Sequence, residues 1–145
     1  MKNSFKRTAA LVALAVLVLV SGCSARNAVT AEQFRSSAES LGYTVADTAQ
    51  ETALDVSFEA EKEPGIKIEY LQFSSDSDAQ TKYNALLSGI QSDSGNAVDT
   101  STYRKYTVEI GDLYHVLIKN GNVVLYGSAG VAEKEELDRF FQSVS

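Results

Sequence analysis

Between Tyr106 and Gly127 three short runs rich in apolar residues are separated by Gly111-Asp112 and Asn120-Gly121, and in the first of them Tyr106, Val108 and Ile110 alternate with polar residues. A period of two places successive side chains on opposite faces of an extended strand. Two-residue pairs containing glycine are the connections that antiparallel strands accept most readily. Residues 106–110, 113–119 and 123–127 are therefore predicted to form a three-strand meander, with Asn120-Gly121 as its strongest turn signal. A second alternation runs through Leu54, Val56, Phe58 and Ala60, and resumes at Ile66, Ile68 and Tyr70 after Pro64-Gly65. That pattern predicts a hairpin over 54–62 and 66–74. Its apolar parity slips at Leu71 and Phe73. The slip points either to a bulge or to a strand end covered on both faces. Tyr43-Thr44-Val45 offers a short strand, and the polar remainder to Thr52 reads as loop.

Three segments carry helical spacing instead. Thr30 and Gln33 form a capping box ahead of Phe34, Ala38 and Leu41, and Gly42 follows as a stop. Ser75 and Asp78 stand before the stripe Ala79, Tyr83, Leu86, Leu87 and Ile90. Glu133, Glu135 and Glu136 open a last segment in which Leu137, Phe140, Phe141 and Val144 recur. Helices are expected at 31–41, 76–91 and 132–144, and the Ser/Asp/Gly-rich stretch 92–101 reads as loop. The order is α-β-β-α-β-β-β-α. The expected fold is α+β: one antiparallel sheet of about five strands with the helices packed on one face.

The first 22 residues are of a different kind. Lys2, Lys6 and Arg7 precede twelve residues of Ala, Val and Leu, Ala9 to Val20, and then Ser21-Gly22-Cys23. A basic start, a short apolar run and small residues are the marks of a signal peptide. Leu19-Val20-Ser21-Gly22-Cys23 resembles a bacterial lipobox. That resemblance implies cleavage between Gly22 and Cys23 and a diacylglyceryl group on Cys23, the only cysteine in the chain. The expected layout is a signal peptide over 1–22, a tether over 23–29 and one domain over 30–145. Two or more acyl chains hold a protein to a bilayer stably. Cys23 would then be the membrane attachment, on the extracytoplasmic face. The six residues from Ser24 to Val29 reach about 20 Å at full extension.

With those elements placed, the chain resembles a family of small, mostly uncharacterised bacterial lipoproteins. The likeness rests on the lipobox, on Thr30-x-Glu32-x-Phe34 leading to Gly42-Tyr43, and on Tyr103-x-x-Tyr106. Tyr114-His115, Leu125-Tyr126 and an acidic closing helix complete it. The resemblance implies the same α+β domain and the same address. It implies no activity.

Charge narrows the partners. The chain has 13 Lys and Arg against 19 Asp and Glu, a net of −6. Loss of Lys2, Lys6 and Arg7 with the signal leaves 10 basic against 19 acidic residues, a net of −9. A phosphate-binding surface needs the opposite sign, so nucleic acid is excluded as a partner. A basic protein partner suits that charge.

Candidate chemistry is sparse. His115 is the only histidine, and a lone imidazole supplies neither a ligand set nor a partnered general base. Asp76 and Asp78 stand where a helix begins, where acids cap exposed N–H groups. Asp93, Asn96 and Asp99 do not match the spacing of a calcium loop. Gly127-Ser128-Ala129-Gly130 lacks the lysine of a phosphate loop, and no Gly-x-Ser-x-Gly elbow exists. No catalytic residue, cofactor or metal is expected. Tyr103, Tyr106, Tyr114 and Tyr126 are the candidate binding surface, because tyrosine combines large contact area with a polar tip. The expected function is a non-enzymatic binding module of the cell envelope. The alternative is a small-molecule or ion-binding lipoprotein that presents a solute to a membrane partner.

Overall fold

A computed structural model describes residues 27–48 and 53–144. The signal segment, Gly22, Cys23 and the tether as far as Arg26 lie outside the described residues. The elements in chain order are α1 (Ala31–Ser40), β1 (Thr44–Asp47), β2 (Leu54–Lys62), β3 (Ile66–Phe73), α2 (Asp76–Ile90), β4 (Asn96–Asp99), β5 (Tyr103–Ile110), β6 (Leu113–Asn120), β7 (Val123–Gly130) and α3 (Lys134–Ser143). A single 3-10 turn, Val131–Glu133, leads into α3. All strands join one antiparallel sheet in the order β1-β2-β3-β7-β6-β5-β4.

This corrects the expected fold: the order is α-β-β-β-α-β-β-β-β-α rather than α-β-β-α-β-β-β-α, and two further features differ. The sheet has seven strands rather than about five, because each edge carries an extra strand of four residues. Residues of β1 and β4 are exposed or half-exposed, so no apolar alternation marks them in the sequence. Residues 96–99, read as loop, pair with Arg104–Thr107 of β5. The helices also occupy both faces of the sheet, not one. Phe34 and Ala38 of α1 share a core with Leu137, Phe140 and Phe141 of α3. That core closes over Phe58, Ile68, Tyr70, Val116, Ile118 and Leu125 of the sheet. Ala79, Tyr83 and Ile90 of α2 close a second core over Leu71, Phe73, Tyr106, Val108, Leu117 and Val124 on the opposite face. Burying a side chain of this size contributes roughly 1.5–3 kcal/mol, so two cores stabilise the sheet where one was expected.

Burial on both faces accounts for the parity slip in β3. Ile66, Ile68 and Tyr70 point to the α1/α3 core, and Leu71 and Phe73 point to the α2 core. A bulge is present as well, in the partner strand, where the register shifts between Leu54 and Val56. The same logic explains why β6 is buried without a break from Tyr114 to Lys119.

The caps form where the spacing places them. Thr30 accepts from the Gln33 amide at 3.2 Å, and the Gln33 side chain accepts from the Thr30 amide at 2.9 Å. Ser75 accepts from the Asp78 amide at 3.1 Å. The hairpin after β6 is displaced by one residue from the expected turn. Asn120 pairs with Val123, which leaves Gly121 and Asn122 at the bend, and Gly121 has φ +54°. Asn122 is drawn into the turn by β3: its side-chain amide donates to the Phe73 carbonyl at 2.7 Å, and its own carbonyl accepts from the Phe73 amide at 2.9 Å.

Candidate functional site

The four candidate tyrosines do not share a surface. Tyr103 and Tyr114 are buried in the α1/α3 core, and Tyr106 is buried in the α2 core. Tyr114 donates to Asp138 at 2.9 Å, and Lys134 stands 4.7 Å above its ring. Burial and the Asp138 carboxylate raise the Tyr114 phenol far above its ordinary range. The Tyr106 hydroxyl donates to the Ser92 carbonyl and accepts from the Ser92 amide, both at 2.9 Å, fastening the segment after α2 to β5. These three side chains hold elements together. Tyr126 is the half-buried one, beside the α2 core.

The remaining candidates are also placed. Asp76 opens α2 and pairs at 2.7 Å with Lys119, whose side chain is only 7 % exposed. Asp78 accepts from the Ser75 hydroxyl at 2.6 Å. Asp99 pairs with Arg104 at 3.0 Å, and Asn96 lies opposite Thr107 in the β4–β5 ladder. Among the described residues no group of three or more His, Cys, Asp or Glu side chains could hold a metal ion. No helix among them is long and apolar enough to cross a membrane.

What the fold leaves open is one part of the α2 face. Ladder registers put Thr44, Glu61, Lys67, Ser128, His115 and Val108 in one row across the sheet. The neighbouring row is Ala46, Glu59, Glu69, Tyr126, Leu117 and Tyr106. Core contacts of α2 reach Leu71, Val124, Leu117, Tyr106 and Val108, so the helix crosses this face on a diagonal. The β1–β3 side of both rows lies outside that core, with Glu59 and Glu69 half-exposed and Glu61 and Lys67 exposed. At the β5–β6 turn, Ile110 and Leu113 are 42 % and 49 % exposed. Val131, 39 % exposed, is tied to the same turn by its amide, which donates to the Asp112 carbonyl at 3.0 Å. Three of the four exposed large apolar residues among the described residues therefore lie at or next to one turn.

His115 and Tyr126 sit between the acidic side and the apolar corner. The Tyr126 hydroxyl and His115 Nδ1 are 2.9 Å apart, and the two rings lie parallel within 8° at a centroid distance of 6.0 Å. Burial lowers the His115 pKa, and burial with the nearby Glu69 carboxylate raises that of Tyr126. Both groups are thus neutral at neutral pH, joined by a hydrogen bond whose direction depends on the His115 tautomer.

The pH consequence has a definite sign. His115 in the unfolded chain takes its proton near 6.5, and in the folded chain only below that value. Between the two values the unfolded chain holds more protons, so stability rises with pH there. The contribution is fully present above 6.5 and is lost as pH falls toward the folded value. Thermal melting is expected to shift downward on acidification through this window, and the shift should vanish in His115→Gln. Glu136, whose pKa is lowered by its hydrogen bond to Lys62, gives a separate loss at lower pH that both proteins keep.

Sequence reasoning did not single out Glu59, Glu69, Ile110 or Leu113. Their signal was present: Glu59 and Glu61 take the polar positions of the β2 alternation, and Ile110 and Leu113 flank a turn that solvent reaches.

No family model and no curated protein matches this chain. Among solved structures, the chain is similar to a GTP binding regulator from Thermotoga maritima. The TM-score is 0.51 at 11 % identity, covering 78 % of this chain and 85 % of that one. At that identity the likeness is one of fold: the two chains share an architecture.

Proposed function

We propose that this protein is a non-enzymatic binding module, lipid-anchored through Cys23 on the extracytoplasmic face of a bacterial membrane. It presents the open part of the α2 face to a protein partner. The observation that carries the binding role is the exposed apolar side chains Ile110, Leu113 and Val131 at the β5–β6 turn, beside the part of the α2 face that the helix leaves open. Exposed apolar side chains gathered at one place, rimmed by charge, mark contact surfaces. The address rests on the lipobox sequence. The attachment also suits the fold. Val29 packs at the other end of the strands, where its carbonyl accepts from Tyr70 at 3.2 Å and its side chain neighbours Ile118, Val123 and Leu125. A chain anchored there turns the apolar corner away from the bilayer.

The solute-binding alternative is less well supported. The apolar cleft between Val29, Tyr103, Ile118 and Val144 holds about 20 Å³, room for roughly one water molecule. The larger clefts, about 600 Å³ beside Glu32, Gln33 and Ser36 of α1 and about 540 Å³ beside Glu61, Lys62 and Lys67, are lined mainly by polar side chains.

Two measurements test the reading in cells. Cys23→Ala should move the protein from the membrane fraction to the soluble one and abolish incorporation of labelled fatty acid. Retention on the membrane would refute the anchor. A photo-crosslinking side chain at Leu113 should give a discrete protein adduct in intact cells, and the same group at the exposed Glu39 of α1 should not. No adduct at Leu113 would refute the contact surface.

A further inference from the structure

The fourth exposed apolar side chain lies apart from the β5–β6 turn. Val98 is 53 % exposed, the highest value for a large apolar residue among the described residues. It belongs to β4, which forms one edge of the sheet. An edge strand carries a row of unpaired main-chain groups, and proteins usually guard it with lysine, proline, a bulge or a covering element. The opposite edge is guarded in this way. Val45 of β1 packs against the α1/α3 core, and Arg35 of α1 reaches Asp47 at 2.9 Å. β4 reads Asn96-Ala97-Val98-Asp99, pairs with β5 without a register shift and is exposed at every residue.

The hairpin fixes which main-chain groups are open. The Thr100 amide donates to the Tyr103 carbonyl at 2.9 Å. Bonded and non-bonded pairs alternate along an antiparallel ladder. Val98 and Asn96 therefore turn their main-chain groups to Lys105 and Thr107 of β5, and those of Ala97 and Asp99 point out of the sheet.

We propose that a second copy of this chain occupies this edge, its β4 antiparallel to the first about a twofold axis along the sheet normal. One register satisfies the open groups. It sets Val98 opposite Val98 of the second copy, so the most exposed apolar side chain meets its own counterpart. Ala97 then faces Asp99 of the second copy, and Asp99 faces Ala97. Both of these pairs point outward, and each exchanges both of its N–H···O bonds. The register with Ala97 opposite Ala97 makes only one such pair. Its next pair needs Gly95, whose amide is turned away to the Ser92 carbonyl at 3.0 Å. Charge agrees with the first register. Like charges in directly opposed positions destabilise a sheet, and no acid meets an acid across this seam, in a chain with 19 acidic residues. The charged residues of β4 and of its partner positions on β5 are Asp99, Arg104 and Lys105, with Asp99 answered by Arg104 at 3.0 Å. The repulsion between two acidic chains is thus relieved at this edge. The pairing is independent of the contact surface proposed above.

The test is disulfide trapping in the full-length protein, in neutral detergent with a mild oxidant. Cβ atoms of directly opposed residues lie about 4.5–5.5 Å apart, close enough for a disulfide after a small adjustment. Val98→Cys should give a crosslinked species of twice the chain's mass. Ala97→Cys should give at least about fivefold less, since its counterpart lies about 8 Å away in this register. Both are measured above the background of the unsubstituted protein, whose only cysteine is Cys23. Val98→Lys, which sets two ammonium groups opposite each other, should weaken dimerisation about tenfold in sedimentation. Thermal melting of the dilute Val98→Lys protein should match that of the unsubstituted one, because the position is exposed, and this separates lost pairing from lost folding. No trapping of Val98→Cys, equal trapping at Ala97, or an adduct of any other mass would each overturn the proposal.

Discussion

Gly127→Val should lower the melting temperature by about 12 °C, corresponding to about 3 kcal/mol for a domain of this length. Gly127 lies in β7 with its missing side chain directed at α3. A Cβ there would stand 2.6 Å from Cε2 and 2.8 Å from Cζ of Phe141, and 3.0 Å from Cδ1 of Leu137. Those atoms belong to fully buried side chains, so they cannot swing into solvent. Either α3 lifts off the sheet or the rings leave their rotamers, and overpacking of this kind costs roughly 1–3 kcal/mol or more. Gly127→Ala should show a smaller loss of the same sign. Combining Gly127→Ala with Phe141→Leu should cost less than the sum of the two single changes, since the smaller side chain vacates the contested space. Strict additivity in a double-mutant cycle would show that α3 does not depend on the close approach.

Phe140→Ala should be the most damaging single truncation, with a loss of about 4 kcal/mol. Phe140 is fully buried and joins the two helices of its face. Its ring is 5.4 Å from Phe34 of α1 in an edge-on arrangement, 5.3 Å from Tyr43 and 5.6 Å from Phe141. Phe34 continues the cluster to Tyr70 of the sheet at 5.1 Å. Truncation removes both the buried area and the favourable ring contacts, and leaves a cavity between α1 and α3. Since domains are stable by only about 5–15 kcal/mol, this loss is a large fraction of the total. Chemical denaturation should show a lower midpoint with an unchanged slope if the remaining fold stays cooperative. A loss below about 1 kcal/mol would mean that α1 and α3 are held independently of each other.

The elements with one clear periodicity were legible in the sequence. The helices and the strands at 54–62, 66–73, 103–110 and 113–120 fall within a residue or two of their expected bounds, apart from the later start of β5 in the reading at Tyr106. Two kinds of information were not legible. The edge strands Thr44–Asp47 and Asn96–Asp99 bury almost nothing, and period two is visible only where one face is apolar. The placement of helices on both faces showed itself as an apparent fault, the run Tyr70-Leu71-x-Phe73, where side chains of opposite parity are both buried. A strand covered on both faces loses its alternation, and the loss is itself the sign of a second core. The site was less legible than the fold. Tyrosine content pointed to four residues, but three of them have hydroxyl or ring contacts that secure the scaffold or lie in its core. Tyr126 alone reaches the open face, and the acidic residues beside it could be grouped only once the β2–β3 register was known.

The opposite placement of Val29 and the β5–β6 turn sets a length scale. β6 runs the height of the sheet, and its eight residues span about 25 Å. Under the proposed attachment, the leash from Cys23 adds at most about 20 Å. The corner at Leu113 can then patrol a zone reaching about 45 Å above the lipid headgroups. The molecule would act as a short ruler. Under that attachment a partner would have to come within that height of the membrane.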